Sequence, residues 1–305
     1  MFADDDHRAP TFAVSATCCT ERHDETEACR YQVAWQINPH MQPGAVDPVG
    51  AQSQHTAFVK ALKDLGAQLL PVPFVHGAFD SVFTKDAAIL TEHRGVRLAL
   101  LSRFEGTERR REEVARGRHY EQQGFSVIDA PPLPLEGGDV VRLSDGTVLL
   151  GFGQRSSRAA APVLESFMAQ EVLPLELVDP WLYHLDTALT ALDDGTVLCC
   201  REAFTSQGLQ QLERHPAVKE LLFVPRAEAC RFALNVVQVG RTVLSGTLKA
   251  PVLNRLLERR GFRVCVVDLS QFHLAGGSAA CLVSEVHREG AARRPSRSSR
   301  WAGSA

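Results

Sequence analysis

Residues 143–151 read LSDGTVLLG, and residues 192–200 repeat the pattern as LDDGTVLCC, with 49 residues between Gly146 and Gly195. The shared D-G-T-V-L core is a two-residue turn signal followed by a β-branched and apolar run. A weaker echo, QVGRTVLSG at 238–246, comes 45 residues further on. A second recurring unit is an amphipathic helix that ends near Gly or Pro and feeds a strand. It appears in FVKALKDLGAQLLPVP, HYEQQGFSVIDAP, FMAQEVLPLELVD, HPAVKELLFVP and LNRLLERRGFRVCVVDL. A period of this size marks modular units that bury their apolar faces against one another. The expected fold is therefore α/β, with five units of strands and a helix closing into a ring that leaves no open sheet edge. Loops at one end of such a ring converge on its axis, so a site there draws residues from distant parts of the chain.

With 305 residues, 45% of them hydrophobic, the chain can bury a sizeable core. A net charge of -3 and a pI near 6.4 give no basic surplus of the kind that marks a nucleic-acid or anionic-membrane binder, so a small-molecule ligand is favoured. The acidic opening does not read as a secretory signal, and no apolar run approaches the roughly 18 to 20 residues that span a bilayer, which points to a cytoplasmic protein. Residues 1–28 are polar and expected to be irregular, 29–287 to form a single domain, and 288–305 to be a disordered basic tail. In a reducing compartment the eight cysteines are expected to be free thiols. No C-x-x-C pair exists, and the adjacent pairs Cys18/Cys19 and Cys199/Cys200 lack zinc-ligand spacing, so no metal is expected.

Four segments carry acidic, His or Cys residues among turns and apolar strands: DSVFTKDAAIL (80–90), LEGGDVVRL (135–143), YHLDTALTAL (183–192) and GGSAACLV (276–283). Singly, each has a bland reading. Asp80 and Asp86 suit turns, Glu136 and Asp139 a Gly-Gly turn, His184 a satisfied core position, and Cys281 a small buried hydrophobe. Together they lie at corresponding places of the repeats, where a ring gathers them at one mouth. Cys and His suggest a thiolate nucleophile with a proton shuttle. Several carboxylates beside a thiol oppose thiolate formation and make sense if the substrate is a cation. A guanidinium fits, being always charged and forked for bidentate pairing with carboxylates.

The segments INPHM, FDSVFTKDAAIL, LEGGDV, GFGQRSS, YHLDTAL and GGSAACL resemble, in order, motifs of the guanidino-group modifying superfamily, which contains dimethylarginine dimethylaminohydrolases, arginine deiminases and glycine amidinotransferases. The resemblance runs from about Arg30 to Glu285. It implies the pentein fold, a five-bladed α/β-propeller of ββαβ repeats. It implies Cys281 as nucleophile, His184 as general acid and base, and Glu136 as the residue orienting that histidine. Asp86 and Asp186 are the implied guanidinium ligands, Arg155 a ligand of the substrate carboxylate, and Asp80 and Phe83 further pocket residues. For a second carboxylate-binding arginine the choice is Arg110, with Arg103, Arg109 and Arg111 as alternatives. No cofactor is implied, and superfamily members are often dimers, so a homodimer is among the implied assemblies.

The implied activity is dimethylargininase-type hydrolysis of an arginine or methylated arginine to citrulline and an amine. Alternatives are an arginine deiminase or dihydrolase, an amidinotransferase, and a catalytically silent binding member. Retention of both Asp86 and Asp186 favours a guanidinium with free amino groups on both sides. Val283 stands where the commoner pattern has Thr after Cys-Leu.

Overall fold

A computed structural model describes residues 9–19 and 29–288. The fold is mixed α/β. Among the described residues, fifteen strands are arranged in five three-stranded units. The first strand of each unit pairs antiparallel with the second, and the second pairs parallel with the third.

The first strand in the chain, β1 (Thr11–Ser15), and β2 (Gln68–Val72) belong to a unit completed by the last strand. Next come β3 (Ala88–His93), β4 (Val96–Leu101) and β5 (Ser126–Ile128), then β6 (Val140–Arg142), β7 (Val148–Phe152) and β8 (Val172–Glu176). They are followed by β9 (Leu189–Ala191), β10 (Thr196–Cys199) and β11 (Glu220–Phe223), and by β12 (Val236–Val239), β13 (Thr242–Ser245) and β14 (Arg263–Val266). The chain returns in β15 (Val283–Arg288), which pairs with β1 antiparallel and with β3 parallel, so two units merge into a six-stranded sheet. Five helices make the parallel crossovers between second and third strands: α1 (Pro48–Asp64), α2 (Arg111–Gln122), α3 (Ala161–Met168), α4 (Ser206–Arg214) and α5 (Pro251–Arg259).

The repeated D-G-T-V-L sequence is the hairpin between first and second strands. Asp145 Oδ1 accepts from Thr147 N at 2.9 Å, and Asp194 Oδ1 accepts from Thr196 N at 2.9 Å. Gly146 and Gly195 take φ of 98° and 88°, a left-handed conformation that glycine adopts without steric cost. The following Val-Leu pairs, Val148/Leu149 and Val197/Leu198, are buried, and since successive side chains point to opposite faces, both faces of each second strand are covered there. Each such side chain contributes about 1.5–3 kcal/mol. Helix α1 starts where Asp47 accepts from Val49 N and Gly50 N, with Pro48 fixing the first helical φ.

Two expectations are corrected. Residues 11–15 are not irregular: TFAVS is a short apolar run, and it forms the middle strand of its unit, with Phe12, Ala13, Val14 and Ser15 buried between β2 and β15. Nor are all cysteines free. Cys19 and Cys29 form a disulfide, brought together by the Cys18–Arg30 bridge and the hydrogen bond from Cys19 N to Cys29 O. The tail expected at 288–305 lies outside the described residues except for Arg288, which ends β15. Among the described residues no helix is long and apolar enough to cross a membrane, and no three His, Cys, Asp or Glu side chains are grouped to hold a metal ion.

Candidate active site

The polar residues singled out from the sequence sit on the turns that lead into the first strands. Asp86 is on the 3-10 turn Thr84–Ala87 before β3, and Glu136 precedes the turn Gly137–Asp139 before β6. His184 and Asp186 lie at the turn Leu185–Ala188 before β9, and Cys281 lies two residues before β15. The repeat thus brings equivalent points of distant segments together. Gly138 shows how closely: a Cβ there would stand 2.6 Å from His184 Nδ1 and 2.7 Å from Asp86 Oδ1.

His184 Nε2 is 2.9 Å from Glu136 Oε2, and its Nδ1 is 3.6 Å from Asp86 Oδ1. Burial disfavours the imidazolium, but Asp86, Asp139 and Glu136 outweigh that cost and raise the His184 pKa to about 9. Burial opposes ionisation of Glu136 too, yet its hydrogen bond to His184, with Arg155 nearby, lowers its pKa to about 2. Both shifts favour the imidazolium–carboxylate form of the pair. Glu136 is held further by Glu105 N, which donates to Oε1 at 3.0 Å. Asp139 fixes the His184 turn by accepting from Leu185 N and Ser156 N, each at 3.0 Å.

Cys281 is 1% exposed. Its Sγ lies 3.6 Å from Asp186 Oδ2 and 3.1 Å from Asn235 Nδ2. Burial, with Asp186 and Asp86 adding negative charge, pushes the thiol well above its ordinary pKa. Burial also raises Asp186, to about 6, against the pull of Lys85 and His184. In these surroundings the sulfur is a thiol.

One cavity is lined by Asp80, Phe83, Asp86, Arg109, Arg155 and His184, among others. Asp80 Oδ1, Asp86 Oδ1 and His184 Nδ1 are buried and have no hydrogen-bond partner in the protein. Three such atoms at one cavity mark a place for a polar ligand. Asp80 is otherwise held by Trp35 Nε1, which donates at 2.7 Å, and burial raises its pKa to about 7. Cys281 and Asp186 are buried near this cavity without lining it, within electrostatic reach of Asp86.

Arg155 lies in the cavity wall, donating to Ile37 O at 2.6 Å and standing 4.9 Å from the Tyr183 ring centroid. Arg110 is not brought in. It is exposed and reaches only the Phe104 carbonyl, at 3.4 Å, whereas Arg109 is buried and lines the cavity. Arg109 Nη1 is 2.5 Å from Asp86 Oδ2, its Nε 2.7 Å from Glu112 Oε1, and its guanidinium lies over Phe104. Arg103 pairs with Glu113, and Arg111 is exposed. Sequence reasoning passed over Asn235; its signal was a lone amide inside the apolar run FALNVV.

A protein-family model described as arginine deiminase matches residues 71–221. The chain is 30% identical over 269 residues to the N(G),N(G)-dimethylarginine dimethylaminohydrolase of Mycobacterium tuberculosis, covering 88% of this chain and 86% of that one. It is 33% identical over 262 residues to the bifunctional arginine dihydrolase/ornithine cyclodeaminase AgrE of a Nostoc species, covering 84% of this chain. That match takes in 36% of AgrE, so the chain spans about a third of this relative's length. The product-bound N-terminal domain of ArgZ, a cyanobacterial arginine dihydrolase, superposes with a TM-score of 0.82 at 29% identity over 92% of this chain and 99% of that one. A dimethylarginine dimethylaminohydrolase adduct with S-methyl-L-thiocitrulline superposes at 0.68 and 21% identity, over 91% and 100%, a likeness of fold alone.

Proposed function

The chain belongs to the guanidino-group modifying superfamily, and from that premise we propose that it hydrolyses a C–N bond of an arginine or methylated arginine, giving citrulline and an amine. The observation that carries this reading is the Cys281 sulfur set beside Asp186, with Asp86 and the His184–Glu136 pair around it. The finer architecture belongs to the same reading: five ββαβ units arranged as a propeller, in a single domain, with these turns at one end of its axis.

The guanidinium enters between Asp86 and Asp186, whose carboxylates pair with its flanking nitrogens and fix a near-attack geometry. Its charge offsets the two carboxylates that hold Cys281 as a thiol, so as substrate binds the thiol releases its proton to solvent and the thiolate forms. The thiolate attacks the central carbon. His184, present as imidazolium, gives its proton to the departing amine as the C–N bond breaks, leaving a thiouronium on Cys281. Neutral His184 then takes one proton from water, which attacks the same carbon; as the C–S bond breaks the sulfur leaves as thiolate and takes up the remaining hydroxyl proton, giving the ureido product and restoring the thiol. Arg155 and Arg109 line the cavity as the cations available to a substrate carboxylate.

A substrate panel tests the reading: arginine, methylated arginines, agmatine and guanidino acids, with citrulline, ornithine, ammonia and methylamines followed. Turnover by the wild type with none by Cys281→Ala supports it, and near-normal turnover by that variant overturns it. A second reading, arginine dihydrolase, is favoured by the likeness to the ArgZ domain over nearly its whole length. Ornithine and two ammonia per arginine would select it.

A further inference from the structure

Four of the five units place reactive side chains on the turn before their first strand, and the unit of β12 places Asn235 there, one residue ahead of Val236. Its side chain is fully buried and every polar atom is used. Oδ1 accepts from Cys281 N at 3.2 Å, while Nδ2 donates to Asp186 O at 3.1 Å and to Cys281 Sγ at 3.1 Å. These contacts fix which way the amide points. A flipped amide would set its NH2 against the Cys281 N–H and its oxygen against the Asp186 carbonyl, two like-polarity contacts in a site closed to water. An N–H donor therefore faces the sulfur.

The backbone around Asn235 is built to hold this position. Phe232 takes φ of 63°, a conformation disfavoured for a bulky residue, and its carbonyl accepts from Asn235 N at 3.2 Å. The Phe232 ring is kept in place by His40 and His273, with centroids 4.7 and 4.8 Å away.

We propose that Asn235 is a catalytic residue whose side-chain amide stabilises the Cys281 thiolate by a hydrogen bond, both when the sulfur attacks and when it leaves. The inference rests on the reading of Cys281 as nucleophile. Burial opposes ionisation of the sulfur most, and the charged groups Asp186 and Asp86 add to it. Against them stand the Asn235 amide and the Ser278 backbone. A donor to an anionic acceptor is roughly twice as strong as one to a neutral acceptor, so this bond stabilises the thiolate more than the thiol.

The test is the pH dependence of Cys281 alkylation by iodoacetamide, a neutral probe, read by mass spectrometry of the modified peptide in the wild type, Asn235→Leu and Asn235→Asp. Asn235→Asp keeps the shape and the acceptor for Cys281 N, but it adds a negative charge that raises the midpoint by itself, so the deciding variant is Asn235→Leu, which removes the donor and adds no charge. Both variants are expected to move the alkylation midpoint to higher pH, and a midpoint higher by about one in pH lowers the rate at a fixed pH below it about tenfold. A midpoint equal to the wild type's in either folded variant overturns the proposal, because a merely structural amide would not move it. Should Asn235→Leu fail to fold, Asn235→Ala decides: wild-type fold with a near-wild-type midpoint overturns the proposal, and a raised midpoint supports it. A wild-type Cys281 that neither labels at any pH nor supports turnover of a guanidino compound would instead sink the nucleophile reading itself.

Discussion

Arg109 and Asp86 are paired at 2.5 Å with both side chains almost fully buried, so one carboxylate oxygen of Asp86 is committed to a protein cation while the other, Oδ1, accepts no hydrogen bond and stands 3.6 Å from His184 Nδ1. Asp86 therefore offers a substrate a single oxygen. Removing the cation leaves Asp86 and Glu112 buried without the guanidinium that hydrogen-bonds both. Arg109→Leu is expected to cost about 3–5 kcal/mol of stability, as breaking one side of a buried ion pair does. Chemical denaturation measures it, and a loss below about 1 kcal/mol would contradict the pairing.

Arg110 and Arg155 should separate cleanly. Arg110 is exposed, so Arg110→Ala is expected to change stability by no more than about 0.5 kcal/mol and to leave KM unaltered. Arg155→Ala, which empties part of the cavity wall, should raise KM for a substrate bearing a carboxylate. It should have far less effect on agmatine, which has none. Steady-state kinetics on the two substrates decide between these outcomes.

Gly138 has no room for a methyl group between His184 and Asp86. Gly138→Ala is expected to displace one or both and to cost about 1–3 kcal/mol, in the range of overpacking, with a large fall in kcat. A variant of wild-type activity would show that these turns yield freely.

His184 carries a pKa raised to about 9 in the folded chain, above its ordinary 6.5. The stabilisation it supplies is fully present below about 6.5 and is lost as pH rises through about 9. Tm should therefore fall over that window, and His184→Gln should flatten the fall. Glu136 behaves in the opposite sense: lowered to about 2, it contributes above its ordinary value and loses that contribution only in strong acid. Glu136→Gln should remove the imidazolium's hydrogen-bonded anion, lower the His184 pKa, shift the alkaline limb of the kcat profile to lower pH and reduce kcat. An unmoved limb would show that the pair does not set it.

Part of this arrangement is written in short local patterns. Asp145 and Asp194 each close a hairpin using only the two residues that follow, so D-G-T-V-L announces the same turn wherever it occurs. FTKD, LEGGD, YHLD and GGSAAC were legible because each gathers unusual side chains at a strand entry. By itself the sequence thus determined the repeat, the α/β class and most of the charged set. Tertiary structure decided the rest. Arg109 and Arg110 are chemically identical, and neighbours on a helical turn project roughly 100–120° apart, so only the packing of that turn against Asp86 selects one. Asn235 is an ordinary amide until the fold sets it 3.1 Å from a sulfur 46 residues away in the chain. The β1 strand likewise depends on partners that the local sequence does not contain, because it pairs with distant segments, and the Cys19–Cys29 disulfide forms where the bridge between Cys18 and Arg30 sets two cysteines side by side.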